Sequence, residues 1–315
     1  MRIFLAGATG AIGKPLLKKL VAAGHEVTAS TRSGAKAEQL RRMGAAACVL
    51  NGLDGAAVGE AVARAEPDAI IHQMTALSAK PDLRHFDTWF AGTNALRTTG
   101  TDHLLAAAVS LGVNRFIVQS YTGWNNAREG GLVKTEDDSL DPHPAPQQKE
   151  TLAAIHYLEK AVTEAPLTGI ALRYGNLYGE GASEDMVALV CKRMFPVIGG
   201  GRGVWSWLHV EDAAAATLAA LERGASGIYN VVDDEPAPVS EWLPYLAKAV
   251  GARPPLHIPV LVGRLAAGQV ATQWMTEGRG ASNEKAKHEL LFRPSRPSWR
   301  QGFLQLAAPD AAEAA

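Results

Sequence analysis

Directly after the apolar run Arg2 to Ala6 the chain reads Gly7-Ala8-Thr9-Gly10-Ala11-Ile12-Gly13, and an amphipathic stretch from Ile12 to Ala23 follows. Glycines at this spacing let a chain turn tightly off a strand, admit an anionic group close to the backbone and seat the next helix against the strand. The unpaired N–H groups of that helix and the positive end of its dipole then face the anion. A glycine triplet alone is a weak signal. Set between a strand and a helix inside a βαβ unit, it predicts a dinucleotide site with Gly7, Thr9, Gly10, Ala11, Ile12 and Gly13 around the pyrophosphate.

The kind of dinucleotide is read at the end of the second strand. Sites for NAD usually carry an acid about 20 residues on, where it accepts hydrogen bonds from the ribose. Here the strand Glu26 to Ser30 runs into Thr31-Arg32-Ser33, with no acid. An arginine can pair with an adenosine 2′-phosphate through two parallel charge-assisted bonds, with Ser33 and Lys36 adding donors. The expected cofactor is therefore NADP(H), with NAD(H) allowed. The plain alternative is that Arg32 is a solvated loop charge.

Composition excludes some partners. With 31 basic and 32 acidic residues in a chain of 315, the formal net charge is −1, which gives no long-range field to draw nucleic acid or an anionic membrane. Cys48 and Cys191 are the two cysteines and have no metal-ligand spacing, so reduced thiols are expected, without a disulfide or a bound metal. No run approaches the roughly 20 apolar residues of a membrane helix, and the start lacks a signal-peptide plan, so the expected location is cytoplasmic.

Short apolar runs alternate with Ala/Leu-rich helical patterns through the first half. Strands are expected at Arg2 to Ala6, Glu26 to Ser30, Ala46 to Leu50, Ala69 to His72, Arg115 to Gln119 and Gly169 to Arg173, and helices at Ile12 to Ala23, Gly55 to Ala65, Asn94 to Leu111 and Gln148 to Ala165. The fold class is α/β: a Rossmann-type, doubly wound parallel sheet with a smaller C-terminal substrate lobe. Residues 1–175 form the dinucleotide domain, to which 208–232 return with a strand at Gly227 to Val232. Residues 176–207 and 233–306 form the lobe, and 307–315 read as a frayed tail. The polar stretch Asn125 to Pro146, with its acids Glu136 to Asp138, reads as a long surface loop over a site.

GATGAIG, Phe116-Ile117-Val118-Gln119-Ser120, LRYGNLYGEG from Leu172, LHVEDAAAA from Leu208 and IYNVVDDEP from Ile228 occur in that order. Together they resemble the extended and atypical branches of the short-chain dehydrogenase/reductase superfamily, which include sugar-nucleotide epimerases and dehydratases. The likeness runs over almost the whole chain. It implies that Ser120 hydrogen-bonds a substrate carbonyl, that Asp54 lies near the adenine, and that Tyr174 to Asn176 pass beside the nicotinamide. It further implies a bracing role for Asn94, a lobe-connecting role for His209 and Asp212, and a packed core histidine at His72. The helix pair Asn94 to Leu111 and Gln148 to Ala165, which dimerises in many such proteins, allows a homodimer.

One departure bears on the chemistry. The family's usual Tyr-x-x-x-Lys pair passes a proton to or from the carbonyl oxygen, and no tyrosine here has a lysine four residues on. Aligned from Glu159, the tyrosine position falls on Thr151 and the lysine position on Ile155. Three readings stay open. Another residue supplies the proton, with Tyr121 first, then Lys149, and Thr151 as a hydrogen-bond donor; or positioning and oxyanion contacts suffice and water delivers the proton; or the protein holds a dinucleotide without turnover, as a sensor or scaffold would. Non-redox isomerisation or elimination is a fourth class.

Trp124, Trp205, Trp207, Trp242 and Trp274, with Met186, Met194 and Phe195, fall in the segments expected to form the lobe. Such residues line an apolar pocket or fill a core, and a pocket of this kind suits a small apolar carbonyl compound better than a sugar nucleotide. Arg202, Arg264 and Arg279 do not form a cluster for a diphosphate. The expected activity is hydride transfer between NADP(H) and a carbonyl or alcohol of a small, fairly apolar molecule. A sugar-nucleotide epimerase or dehydratase and a non-catalytic dinucleotide-binding protein are the alternatives.

Overall fold

A computed structural model describes residues 1–77 and 81–306; the tail at 307–315 lies outside the described residues. Seven strands, β1 (Arg2–Ala6), β2 (Glu26–Thr31), β3 (Ala46–Val49), β4 (Ala69–His72), β5 (Arg115–Tyr121), β6 (Thr168–Tyr174) and β7 (Gly227–Val231), pair in parallel. Their order across the sheet is β7-β6-β5-β4-β1-β2-β3, so the chain reverses its direction of travel between β1 and β4. In open α/β sheets the crevice beyond the strand ends at such a reversal is where ligands bind. The glycine turn leaves β1 at that point.

Side-chain alternation along the strands builds two layers. Ile3 and Leu5 of β1 join Leu16, Leu17 and Leu20 of helix α1 (Gly13–Ala22) in one core. Phe4 and Ala6 face the other way, toward Val58 and Val62 of α3 (Gly55–Ala65), which follows α2 (Gly34–Arg42). Buried on both sides, the strands are continuous apolar runs, as a parallel sheet between helical layers requires.

The expected helix from Asn94 starts a full two turns earlier. It runs as α4 (Phe86–Ala95), a π turn at Leu96–Gly100, and α5 (Thr101–Ser110). Phe86, Trp89 and Phe90 stand at helical spacing and their rings meet, with Phe86 stacked on Phe90 at 4.5 Å. Helix α6 (Lys149–Thr163) packs beside α4.

Beyond β6 come α7 (Glu184–Cys191), α8 (Val210–Arg223), which returns to the β1 side of the sheet, then α9 (Val239–Ala249) and α10 (Val260–Glu277). A separate apolar cluster forms here around Trp207, Trp242, Trp299, Tyr178 and Phe303. Trp207 and Trp242 are thus core side chains, and Met194 is 64% exposed, so these three do not line a pocket.

The loop from Asn125 to Pro146 is held at several points. Val133–Lys134 pairs with Gly280–Ala281, and Arg128 bridges to Asp141 at 3.1 Å and to Glu277 at 2.6 Å. Its acids turn inward as acceptors: Glu136 takes the Asn230 amide at 2.6 Å, and Asp138 takes the buried Lys134 ammonium at 3.1 Å.

Candidate active site

The three glycines of the turn meet different demands. Gly7 has φ +89°, and a Cβ there would lie 2.6 Å from the backbone of Gln73. A Cβ on Gly13 would lie 2.3 Å from the Gly7 carbonyl oxygen, so this glycine lets α1 seat against the turn. Gly10 is exposed, and the nearest atom to its would-be Cβ is 3.6 Å away. Its missing side chain leaves a hollow on the open side of the turn, and the amides of Ala11, Ile12 and Gly13 beside it donate to no described backbone acceptor. The side chain of Ile12 is buried and that of Thr9 half-buried. Close above, a Cβ on Gly181 would come within 3.5 Å of Ala11. A hollow edged by free amides at a helix start fits a pyrophosphate.

Arg32 is exposed at the end of β2 and makes no hydrogen bond or ion pair with another described residue. Ser33 begins α2, its hydroxyl oxygen accepting the Lys36 amide at 3.4 Å, which leaves its own hydrogen free. Asp54 does the same for α3, accepting from Ala57 at 3.1 Å while exposed to solvent.

Ser120 and Tyr121 are neighbours at the end of β5, and strand alternation sends their side chains to opposite faces. Ser120 donates its hydroxyl hydrogen to Glu159 at 2.6 Å. Glu159 also accepts both arms of a fork from Arg173 on β6, each at 2.7 Å. All three are at most 5% exposed. The Ser120 hydroxyl, expected to donate to a substrate carbonyl, is thus held by Glu159 inside the fold.

Tyr121 points the other way and donates its hydroxyl to Asn176 Oδ1 at 2.8 Å, while Asn176 donates to the Ser206 carbonyl at 3.1 Å. Burial pushes the phenol far above its usual pKa, and the positive charge of Arg97 offsets part of that rise. A Cβ on Gly123 would sit 3.2 Å from the hydroxyl. Tyr121 and Asn176 form one wall of a narrow cleft whose other walls are Gly123, Trp124, Trp205 and Trp274; its free space, about 10 Å³, is that of a water, so a larger ligand enters only if these side chains move apart. Trp124 and Trp274 stack at 5.7 Å with planes 16° apart, and Trp205 donates its indole N–H to the Trp274 carbonyl at 2.9 Å. A second hollow, also with about 10 Å³ of free space, shares these two tryptophans and continues to Gln148 and Arg279.

Two other candidates do not reach the cleft. Thr151 is fully buried, donating to Asp87 at 2.7 Å and accepting from Asn94 at 2.9 Å, so it ties α6 to α4 and cannot touch a ligand. Ile155, at the expected lysine position, is also core. Lys149 is exposed at the start of α6 and lines neither hollow. The ring of Tyr174 is sealed in, its hydroxyl between Gln73 at 3.1 Å and Thr217 at 2.7 Å, and burial pushes its pKa up to about 12. Only the backbone of Tyr174 can border a ligand.

His72, His209 and Asp212 are held by partners, whereas Asn94 bonds Thr151 through its amide nitrogen and leaves Oδ1 buried without a partner. His72 is held at Nε2 by the Leu96 carbonyl and at Nδ1 by the Met74 amide, both at 3.1 Å, and burial lowers its pKa to about 4, so it is neutral and structural. His209 caps α8, and Asp212 accepts from Ser295 and Arg296. Sequence reasoning did not single out Arg97, which is buried beside this region. Its signal was there: it shares a helical face with Phe86 and Phe90, an apolar face on which a charge is out of place.

Comparison with known proteins agrees with this geometry. The model of the NAD dependent epimerase/dehydratase family matches residues 3–232. A protein of Streptomyces sp named 3-diazoavenalumate denitrifying reductase is 41% identical over 308 residues, covering 96% of this chain and 99% of its own. A 4-hydroxy-2-methyl-3-oxo-4-farnesyl-3,4-dihydroquinoline-1-oxide ketoreductase of Stigmatella aurantiaca is 26% identical over 87% of this chain and 81% of its own. Among solved structures, UDP-glucose 4-epimerase of Thermotoga maritima superimposes with a TM-score of 0.74 at 22% identity, covering 96% of each chain, which is a likeness of fold.

Proposed function

This chain belongs to the NAD dependent epimerase/dehydratase family, and from that premise we propose that it is an NADP(H)-dependent reductase of small aromatic substrates. The observation that carries the reading is the placing of Tyr121 and the Trp124–Trp274 cleft beyond the strand ends, on the same edge of the sheet as the glycine turn. Relatives named as reductases, one of them 41% identical, support the reaction type. The free guanidinium of Arg32 supports the 2′-phosphate. Of the arginines lining the second hollow, Arg128 is committed to Asp141 and Glu277, while Arg279 bonds backbone carbonyls and keeps a buried, unbonded Nε; none lines the cleft itself, which speaks against a nucleotide diphosphate there.

When bound, the dinucleotide supplies the hydride. The turn's free amides and the Gly10 hollow hold its pyrophosphate. Paired tryptophans hold a flat substrate and exclude water. Tyr121, the one ionisable hydroxyl facing the cleft among the described residues that line it, donates toward the reduced oxygen from the place now taken by Asn176.

A second reading is favoured by the absence of a Tyr-x-x-x-Lys pair, together with the denitrifying relative. Reduction of a carbonyl leaves an alkoxide that needs a proton. An aromatic diazonium group that accepts hydride at its terminal nitrogen becomes an aryldiazene, which collapses to the arene and N2, its N–H hydrogen ending on the ring carbon. That sum needs no acid.

The test is NADPH oxidation over the enzyme-free rate with aryl ketones, aryl aldehydes and a diazophenol acid, using NADPH deuterated at C4 and mass analysis of the product. Deuterium on a carbinol carbon supports the first reading. Arene and N2 formed in step with NADPH oxidation support the second, with or without deuterium in the arene since a diazene N–H exchanges with water, and neither carbinol nor arene formation overturns both. Tyr121→Phe should cut carbonyl turnover at least tenfold with NADPH affinity unchanged and leave diazo turnover near normal.

A further inference from the structure

Arg97 makes no hydrogen bond or ion pair with another described residue. The π turn Leu96–Gly100 carries it, and interruptions of this kind within helices are frequent at functional sites. It is 9% exposed, its Nη1 is sealed from water without a hydrogen bond, and its Cζ lies over the Phe90 ring, 5.7 Å from the centroid. Burial draws its pKa down to about 10, with the field of Glu159 opposing the fall. Glu159, however, is spent on Arg173 and Ser120. Glu136 adds its field to Arg173 but not to Arg97, so Arg97 is left with only the distant field of a carboxylate bonded elsewhere.

A buried charge without a partner is costly, and a Met of similar length would fill the space without that cost. The protein's own acids do not relieve it: Asp87, on the same helix, is taken up by Thr151 and Glu150. Other orphaned donors occur nearby. Gln148 Nε2 and Trp274 Nε1 are both buried and unbonded, and both residues line the second hollow, Trp274 the cleft as well. The orphaned acceptor Asn94 Oδ1 lies three residues before Arg97 on the same helix. An aromatic wall joins the two places: Phe90 stacks on Phe86, and Phe86 meets Trp124 and Trp274 edge-on, each at 5.3 Å.

We infer that Arg97 is the receptor for an anionic oxygen, a carboxylate or a phenolate, on a flat aromatic substrate held against the Trp124–Trp274 wall. The inference rests on reading that cleft as the substrate site. With the ring on the tryptophans, the anion reaches inward along Phe86 and Phe90 and completes the pairing that Glu159 cannot supply.

The test is calorimetric titration of the intact protein with cinnamate, 4-nitrophenolate and the neutral methyl cinnamate, with and without NADP+, in the parent, Arg97→Met and Arg97→Lys. The parent should bind at least one anion ten or more times tighter than the ester. Arg97→Met should abolish that preference while raising the melting temperature and leaving the NADPH dissociation constant within twofold; Arg97→Lys should keep part of it. The anion whose affinity collapses tells carboxylate from phenolate. A parent that does not prefer either anion, or an Arg97→Met protein that keeps the preference, overturns the inference. Failure of NADPH to bind the parent counts against the cofactor reading alone, since the anion titration is read without it as well.

Discussion

Replacing Glu159 by Gln probes how the interior behind β5 is charged. Glu159 accepts three hydrogen bonds, from Ser120 at 2.6 Å and from two nitrogens of Arg173 at 2.7 Å, at 3% exposure. Gln keeps the volume and one acceptor oxygen but turns an amide toward a guanidinium and removes the only carboxylate bonded to Arg173 among the described residues, Glu136 acting on it only through its field. Two buried cations, Arg173 and Arg97, then lose the Glu159 charge. Breaking one side of a buried pair typically costs about 3–5 kcal/mol. Against a usual total of about 5–15 kcal/mol the variant still folds, with a clearly lower urea midpoint by tryptophan fluorescence and circular dichroism. Because Arg97 shares the same field, Arg97→Met should restore part of the loss, giving a coupling of at least about 1 kcal/mol in the double-mutant cycle. A Glu159→Gln protein within about 0.5 kcal/mol of the parent, or strict additivity with Arg97→Met, would refute this account of the charge balance.

Gly13→Ala should destabilise the protein severely in thermal melts, because its Cβ would lie 2.3 Å from the Gly7 oxygen, whereas Gly10→Ala meets nothing nearer than 3.6 Å and should melt like the parent. Gly10→Val should also stay folded yet lose NADPH binding in a fluorescence titration, since the side chain fills the hollow left for the pyrophosphate. Arg32→Ala should weaken NADPH by about 1.5–3 kcal/mol, the worth of a charged hydrogen bond, with NADH affinity unchanged; equal weakening of both would remove the 2′-phosphate contact. Asp233 is buried and its pKa is raised to about 8, chiefly by desolvation, so the folded state holds a proton that the unfolded chain gives up near pH 4. Its contribution is full below pH 4 and lost as pH rises toward 8, so Asp233→Asn should flatten the fall in urea midpoint over that range.

Much of the sheet was legible because its signals are local. The strands are short apolar runs and the glycines carry a steric demand, so Gly7 and Gly13 stand where a Cβ cannot. Helix α4 was missed because Phe86, Trp89 and Phe90 read as scattered aromatics until their spacing is set against Asn94 and Arg97 on one continuous helix. The lobe's tryptophans could not be sorted by type: Trp207 and Trp242 fill a core while Trp124 and Trp274 stack in a cleft, a difference set by contacts distant in sequence.

The placement of Ser120 and Tyr121 shows a different limit. Motif matching assigned roles to adjacent residues as though both faced one ligand, yet a strand sends neighbours to opposite sides. Register pairs Ser120 with Arg173 and Tyr121 with Tyr174, so Ser120 belongs to a buried ion network and Tyr121 to the cleft. The same logic applies to α6, where Thr151 and Ile155 are enclosed and carry no proton chemistry. A phenol facing the cleft and a buried cation are nonetheless present on other elements, Tyr121 at the end of β5 and Arg97 on the π turn, close enough for the cation's charge to act on the phenol's ionisation. A cation held on a helix that also carries the aromatic wall can serve the substrate's own anion as well as the phenol. Loss of the Tyr-x-x-x-Lys pair therefore does not by itself argue for an inert binding protein.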